Sequence, residues 1–383
     1  MKILLAPDKF RGSLSAIEVC NAMTEGIRLA QPNAEIVALP MADGGEGTAE
    51  LLTMATNGQM RQVPVQDPLG RPINATYGLS ADGKTAFVEM AAASGLSLLT
   101  QAERNPLLTT TFGTGQLIAD ARQQGATHIV LAIGGSATTD AGMGVAAALG
   151  WQFFDKNQQV LTPVGQNLGK IERIEKPHWP TKFKTTVACD VNNPLFGPNG
   201  AAYVYAPQKG ATPEMVQQLD AGLQHFSAII KRDFGVEIAD TSGAGAAGGL
   251  GAGALFFLNA TLQSGVTMVL EQTQFTAQLA GVDLVLTGEG KIDTQTLQGK
   301  LVAGVAAVAA AQNVPVVALC GTLLVNPATL RRAGIAYAAS ILSRPAPLEE
   351  AITHAYEDVK NATFSVINLW QTAQISPATE WET

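Results

Sequence analysis

Charge, aromatic rings and cysteine are all scarce in this 383-residue chain: 15% of residues are charged, 6% are aromatic, and there are three cysteines. Cys20, Cys189 and Cys320 lie far apart with no CxxC pairing. That excludes a disulfide framework and suits small buried hydrophobes in a reducing cytosol. The four histidines are scattered, and no His/Cys cluster has zinc spacing. Basic runs are missing, and a net charge of −8 argues against nucleic acid or an anionic membrane surface as partner. Long hydrophobic runs are missing too. The most apolar stretch, 301–311, is broken by Gln312, Asn313 and Pro315 before it could span a bilayer. The first residues, "MKILLAPD", are too short and too soon charged for a signal peptide, so the expected compartment is the cytoplasm.

What the chain does have is glycine, 39 residues of it, in a background that is 46% hydrophobic. That suits a compact α/β enzyme with many close backbone turns. Residues 3–6 read as a strand and 16–29 as an amphipathic helix, opened by the capping-box pattern Ser15 to Glu18. A second strand at 35–39 leads through "MADGGEGT" into a helix ending near Ala55. Such βαβα units imply a parallel sheet with ligands at the carboxyl ends of its strands. Residues 63–90 change to alternating, hairpin-like texture. Strand and helix return with 129–133, 187–189 and 214–233, and from Asp283 onward the pattern is clean α/β again. The predicted fold is two-domain α/β. Both chain ends (1–62 and 280–383) form a parallel-sheet, Rossmann- or flavodoxin-like domain, and a second α/β domain with a hairpin region (63–279) is inserted between them.

Two formal motifs fail on context. Gly78 to Thr85 fits the P-loop pattern, but Asp82-Gly83 is a hairpin dipeptide and 85–89 can run back as its partner strand. Gly243 to Gly248 fits GxGxxG without a strand before it, leaving either a phosphate cradle or a tight packing segment. Strand–loop–helix junctions are the stronger signals. In "IVLAIGGSATTDAGMG" a strand ends at Ile133 and a helix is expected near Ala141. There Gly134, Gly135 and Ser136 offer unobstructed amides, and Ser136, Thr138 and Thr139 offer hydroxyls. Asp140 reads as the helix N-cap or as an acid beside a metal. "APDKFRGSLSA" repeats the device with Lys9 and Arg11. Acids recur at strand exits: Asp8, Asp43, Glu46, Asp190, Glu289 and Asp293. Glycine loops with hydroxyls and cations bind phosphate, and convergent carboxylates hold Mg²⁺ or take a proton from a hydroxyl. Those are the parts of a phosphoryl transferase built without a P-loop.

Taken in order, "APDKFRGSLSA", "MADGGEGT", "IGGSATTDAGMG", "CDVNNPLFGPNGAA", "PQKGA", "GAGAAGGLGAG" and "TGEGKIDTQTLQGK" resemble the bacterial type-1 glycerate kinase family over nearly the whole chain. The resemblance implies ATP-dependent phosphorylation of (R)-glycerate, with the 2-hydroxyl as expected acceptor, in glyoxylate or sugar-acid catabolism. It also implies a discontinuous two-domain fold with its site in the interdomain cleft. Alternatives are a kinase of a related hydroxy or sugar acid, or phosphorylation of the 3-hydroxyl. A non-catalytic sensor has little use for several convergent carboxylates. Partners are expected to be glycerate and ATP, with a homo-oligomer as the one macromolecular option.

Roles follow from that chemistry. Asp190, at a strand end beside the tight 192–194 loop, is the expected general base. Lys9 and Lys291 are expected to offset charge on the moving phosphoryl group. Arg11 is expected to grip the glycerate carboxylate through two parallel hydrogen bonds, with Ser13, Asp8 and Lys209 also facing substrate. Gly134, Gly135, Ser136, Thr138, Gly245 and Gly248 are expected around the nucleotide phosphates. Asp293, Glu289 and Asp43 are the expected Mg²⁺ ligands.

Overall fold

A computed structural model describes residues 1–177 and 183–375. The strands in chain order are β1 (Lys2–Leu5), β2 (Glu35–Ala38), β3 (Gln59–Gln66), β4 (Pro72–Leu79), β5 (Thr85–Glu89) and β6 (His128–Ala132). They continue as β7 (Gln152–Phe154), β8 (Arg173–Glu175), β9 (Lys184–Ala188), β10 (Thr261–Gln263), β11 (Leu284–Ile292), β12 (Val316–Leu323) and β13 (Tyr337–Ser340). The chain forms two compact units, Met1–Asp43 with Val269–Thr383, and Gly44–Met268.

The first unit is built on a five-stranded sheet in the order β13-β12-β11-β1-β2, and every pairing in it is parallel. Counting only this unit's strands in sequence, the order reads 2-1-3-4-5, the flavodoxin-like arrangement. Its central strands are continuous apolar runs because both faces are covered: Ile3, Leu4, Leu5, Leu284, Leu286 and Leu319 are all fully buried. Each such side chain contributes roughly 1.5–3 kcal/mol. The helix Ala16–Ala30 starts at the predicted capping box, with Ser15 Oγ accepting from the Glu18 amide and Glu18 Oε2 accepting from the Ser15 amide.

The second unit carries a six-stranded sheet, β10-β9-β6-β5-β4-β3. Its first four strands run parallel, and β4 and β3 are added antiparallel as the predicted hairpin region. The P-loop-like stretch is the turn between β4 and β5: Asp82 Oδ1 accepts from Ser80 Oγ and the Lys84 amide, and Gly83 has φ +70°. Residues 44–62, expected in the first unit, belong to this one. The helix Thr48–Ala55 packs on β5 and β4, with Glu89 Oε1 accepting from the Ala49 amide at 2.8 Å.

Glu289, expected at a strand exit, lies inside a strand. The strand beginning at Leu284 does not give way to a loop at Gly288 but runs on to Ile292, with Glu289 opposite Cys320 and Lys291 opposite Thr322 in β12. The glycine explains this. A Cβ on Gly288 would lie 2.2 Å from the Leu319 carbonyl oxygen, so only glycine lets β12 approach there.

Candidate functional site

In a 2-1-3-4-5 sheet, ligands bind outside the carboxyl ends of the strands at the point where strand order reverses. Here that point lies between β1 and β11. The Asp8 amide, just past β1, donates to the Gly288 carbonyl in β11 at 2.8 Å, and the Met41 amide, past β2, donates to Pro7 O at 2.9 Å. These backbone ties gather Asp8, Asp43 and Glu289 at one sheet edge. Asp8 is 8% exposed. Burial, reinforced by the charges of Asp43 and Glu289, raises its pKa to about 7, although the Lys9 amide donates to its Oδ1 at 2.7 Å. Burial also raises the pKa of Glu289, against the Thr296 hydroxyl and Lys300. Glu289 Oε1 is buried without a hydrogen-bond partner among the described residues.

The cations and the last acid of this region lie along and beside β11. Residues 10–14 form a tight turn closed by Phe10 and Leu14, with Arg11 exposed at its tip and the Ser13 hydroxyl buried without a hydrogen-bond partner among the described residues. The turn runs beside Gly290, whose missing Cβ would meet the Arg11 amide at 3.4 Å. Lys291 is exposed and its Nζ pairs with Asp293 Oδ2 at 2.7 Å. Asp293 Oδ1 accepts from the amides of Gln295 (2.9 Å) and Thr296 (3.1 Å). The Lys291 contact and these turn amides bring the Asp293 pKa down to about 2. Asp293, expected on the metal, thus caps the turn into the next helix. Among the described residues no three His, Cys, Asp or Glu side chains stand close enough to enclose a metal ion.

The second unit holds the glycine loop. The expected helix start moves back: the helix spans Met143–Ala148, and its N-terminus is already filled from within. The Asp140 carboxylate, fully buried, accepts from Thr111 N (2.7 Å), Thr111 Oγ1 (2.8 Å), Gly142 N (3.1 Å) and Gly144 N (3.2 Å). An anion has no place at that helix end. Upstream, the amides of Gly134, Gly135 and Ser136 donate to no acceptor among the described residues. The hydroxyls of Ser136 and Thr138 turn inward and bond each other at 3.2 Å. Lys209, expected to face substrate, is 1% exposed, beneath this loop. Its Nζ donates to Thr138 O (2.5 Å) and Ser136 Oγ (3.2 Å). Burial lowers its pKa to about 7, partly offset by the Asp140 charge.

Gly245 and Gly248 serve close packing. A Cβ on Gly245 would lie 2.2 Å from Pro194 O, and one on Gly248, at φ +70°, would lie 2.0 Å from Thr138 O. Asp190 leaves β9 exposed, with its Oδ1 accepting from the Gly265 amide at 3.0 Å. Sequence reasoning missed Thr296 and Lys300 beside Glu289, and Thr111 beside Asp140. Nothing local marks a threonine or lysine as the neighbour of a particular acid.

A flavodoxin-order sheet with acids at its switch point in the first unit, and a loop with exposed Gly134 and Gly135 after a parallel strand in the second, define an α/β protein. The chain matches the Glycerate kinase family over residues 3–371 and belongs to it. It is 43% identical over 369 residues to the Glycerate 2-kinase of Escherichia coli (strain K12), covering 96% of this chain and 97% of that one. It is 44% identical to the Glycerate kinase of Bacillus subtilis (strain 168), covering 93% and 94% of the two chains. A crystal structure of a glycerate kinase 2 candidate from Salmonella typhimurium LT2 superposes with a TM-score of 0.90 at 42% identity, covering 98% of this chain and 99% of that one.

Proposed function

We propose that the protein is an ATP-dependent glycerate kinase that transfers the γ-phosphoryl group to the 2-hydroxyl of (R)-glycerate, yielding 2-phosphoglycerate and ADP. The observation that carries the chemistry is the set Asp8, Asp43 and Glu289 at the switch point of the first sheet. The 2-hydroxyl follows from near-full-length kinship with a Glycerate 2-kinase. Phosphoryl transfer asks little covalent chemistry of a protein. It asks for positioning and for charge placed against the phosphate oxygens.

The donor set fits Mg²⁺, a hard ion that takes carboxylate oxygens and keeps several waters. Glu289 Oε1 is a buried oxygen that no donor among the described residues satisfies. Glu289 and Asp43 would hold the ion, which would neutralise charge on the nucleotide phosphates. The amides of Gly134, Gly135 and Ser136 suit phosphate oxygens. Arg11 suits the glycerate carboxylate, with Ser13 in the same turn, and Lys9 suits a phosphate as a point charge. Among the described residues no helix is long and apolar enough to cross a membrane. A cytoplasmic enzyme working on small molecules accords with this and with free Cys20, Cys189 and Cys320.

Asp190, held by the Gly265 amide, is the general base in this reading. The burial of Asp8 and its pKa of about 7, close to the working pH, favour a second reading in which Asp8 takes the proton. Asp190→Asn and Asp8→Asn separate them: the base variant should lose on the order of 10²-fold in turnover with glycerate KM largely kept. The test of the function itself is glycerate-dependent, Mg²⁺-dependent ADP release, with the product identified by phosphorus NMR. Absence of glycerate-dependent ADP release sinks the kinase reading, and 3-phosphoglycerate as product sinks the regiochemistry.

A further inference from the structure

Lys209 poses a problem of energetics. An ammonium group with 1% exposure has given up nearly all its water, and desolvating a charge costs several kcal/mol that a surface lysine avoids. Its charge partner is Asp140, whose carboxylate is already shared among Thr111, Gly142 and Gly144. For stability alone, an aliphatic side chain of similar length would fill the space at lower cost. The compensation must lie in what the ammonium holds.

It holds the underside of one loop. Lys209 Nζ donates to Thr138 O at 2.5 Å and to Ser136 Oγ at 3.2 Å. Ser136 Oγ also accepts from the Thr138 amide at 3.2 Å. One residue earlier, Thr109 Oγ1 donates to Ala137 O at 2.9 Å. Successive carbonyls of the loop are therefore drawn inward by buried donors. On the same loop the amides of Gly134, Gly135 and Ser136 are left without a protein acceptor among the described residues. The lysine is itself fixed: the Lys209 amide bonds Ala206 O, and the following Gly210, at φ +92°, packs where a Cβ would lie 2.3 Å from Arg104 O.

We propose that Lys209 is a positioning residue for phosphate binding, which sets the 134–138 loop so that its free amides face the nucleotide and which never touches substrate itself. This deepens the reading of that loop as the phosphate seat and rests on it. Preorganised amides cost no reorganisation when the anion arrives, so loosening the loop should weaken nucleotide selectively.

The test uses the full chain. Lys209→Met should raise the ATP KM about tenfold and weaken ADP binding by calorimetry about as much, with glycerate KM unchanged and the melting temperature not lowered. Should that variant fail to fold, Ser136→Ala removes one arm of the lysine's grip and keeps the backbone amide. It should weaken ADP binding about threefold at unchanged glycerate KM. ADP affinity unmoved in whichever variant folds, or ATP and glycerate KM rising together, overturns the proposal. Because ADP binding is read without turnover, a wild-type chain that binds ADP yet shows no glycerate-dependent activity would count against the kinase reading and leave this one standing.

Discussion

The Asp8 amide donates to the Gly288 carbonyl at 2.8 Å, and this one bond sets two carboxylates side by side, Asp8 just past the end of β1 and Glu289 within β11. Burial raises the pKa of both, and for Asp8 the charges of Asp43 and Glu289 add to it, bringing its pKa to about 7.

The sign of the resulting pH dependence is fixed. An acid whose folded pKa lies above its unfolded value stabilises the fold fully below the unfolded pKa. That contribution is lost as pH rises through the folded pKa. For Asp8 the window runs from 3.8 to about 7. Asp8→Asn should therefore melt higher than wild type at pH 8 in metal-free buffer, and the advantage should shrink steadily as pH falls from 7 to 4. A difference in melting temperature that ignores pH would show that Asp8 is not perturbed.

Glu289 and Asp293 should part company. Asp293 spends its oxygens on Lys291 and on the amides of Gln295 and Thr296, whereas Glu289 keeps an unsatisfied one. Glu289→Gln should raise the Mg²⁺ concentration for half-maximal activity by on the order of tenfold. Asp293→Ala should leave that midpoint in place and slightly lower the melting temperature. A Mg²⁺ midpoint that moves with Asp293 and not with Glu289 would reverse the two roles.

Removing the Asp140 carboxylate strands buried donors at Thr111, Gly142 and Gly144. Asp140→Ala should cost roughly 3–5 kcal/mol, read as a fall in the urea midpoint at unchanged slope. A loss below about 1 kcal/mol would mean the helix end finds another cap.

Arg11 stands exposed at the tip of the Phe10–Leu14 turn, free of any need to support the core. Arg11→Lys replaces a planar fork by a point charge, so glycerate KM should rise about tenfold while ATP KM stays put. Steady-state kinetics with each substrate varied in turn decides it. The opposite split assigns Arg11 to the nucleotide.

Much of this protein is determined by local pattern. Unbroken apolar runs such as 3–6 and 284–286 can only be strands buried on both faces, so parallel sheets were legible, as was the capping box at Ser15. Asp82-Gly83 carried its hairpin, and the motif series carried the family. Other features are invisible to pattern because they depend on partners far away in sequence. Glycine is a poor strand residue, so β11 seemed to end at Gly288; it continues because β12 must approach the Gly288 backbone at Leu319. Lys209 read as a cation facing substrate, but it is buried and holds a carbonyl 71 residues away. Asp140 was legible as a cap, yet its best donor comes from Thr111, 29 residues upstream. The flavodoxin strand order likewise needed the pairing of β1 with β11 across the whole second unit. Periodicity reports which face of an element is buried. Which element it is buried against, and which polar group is waiting there, only the folded chain decides.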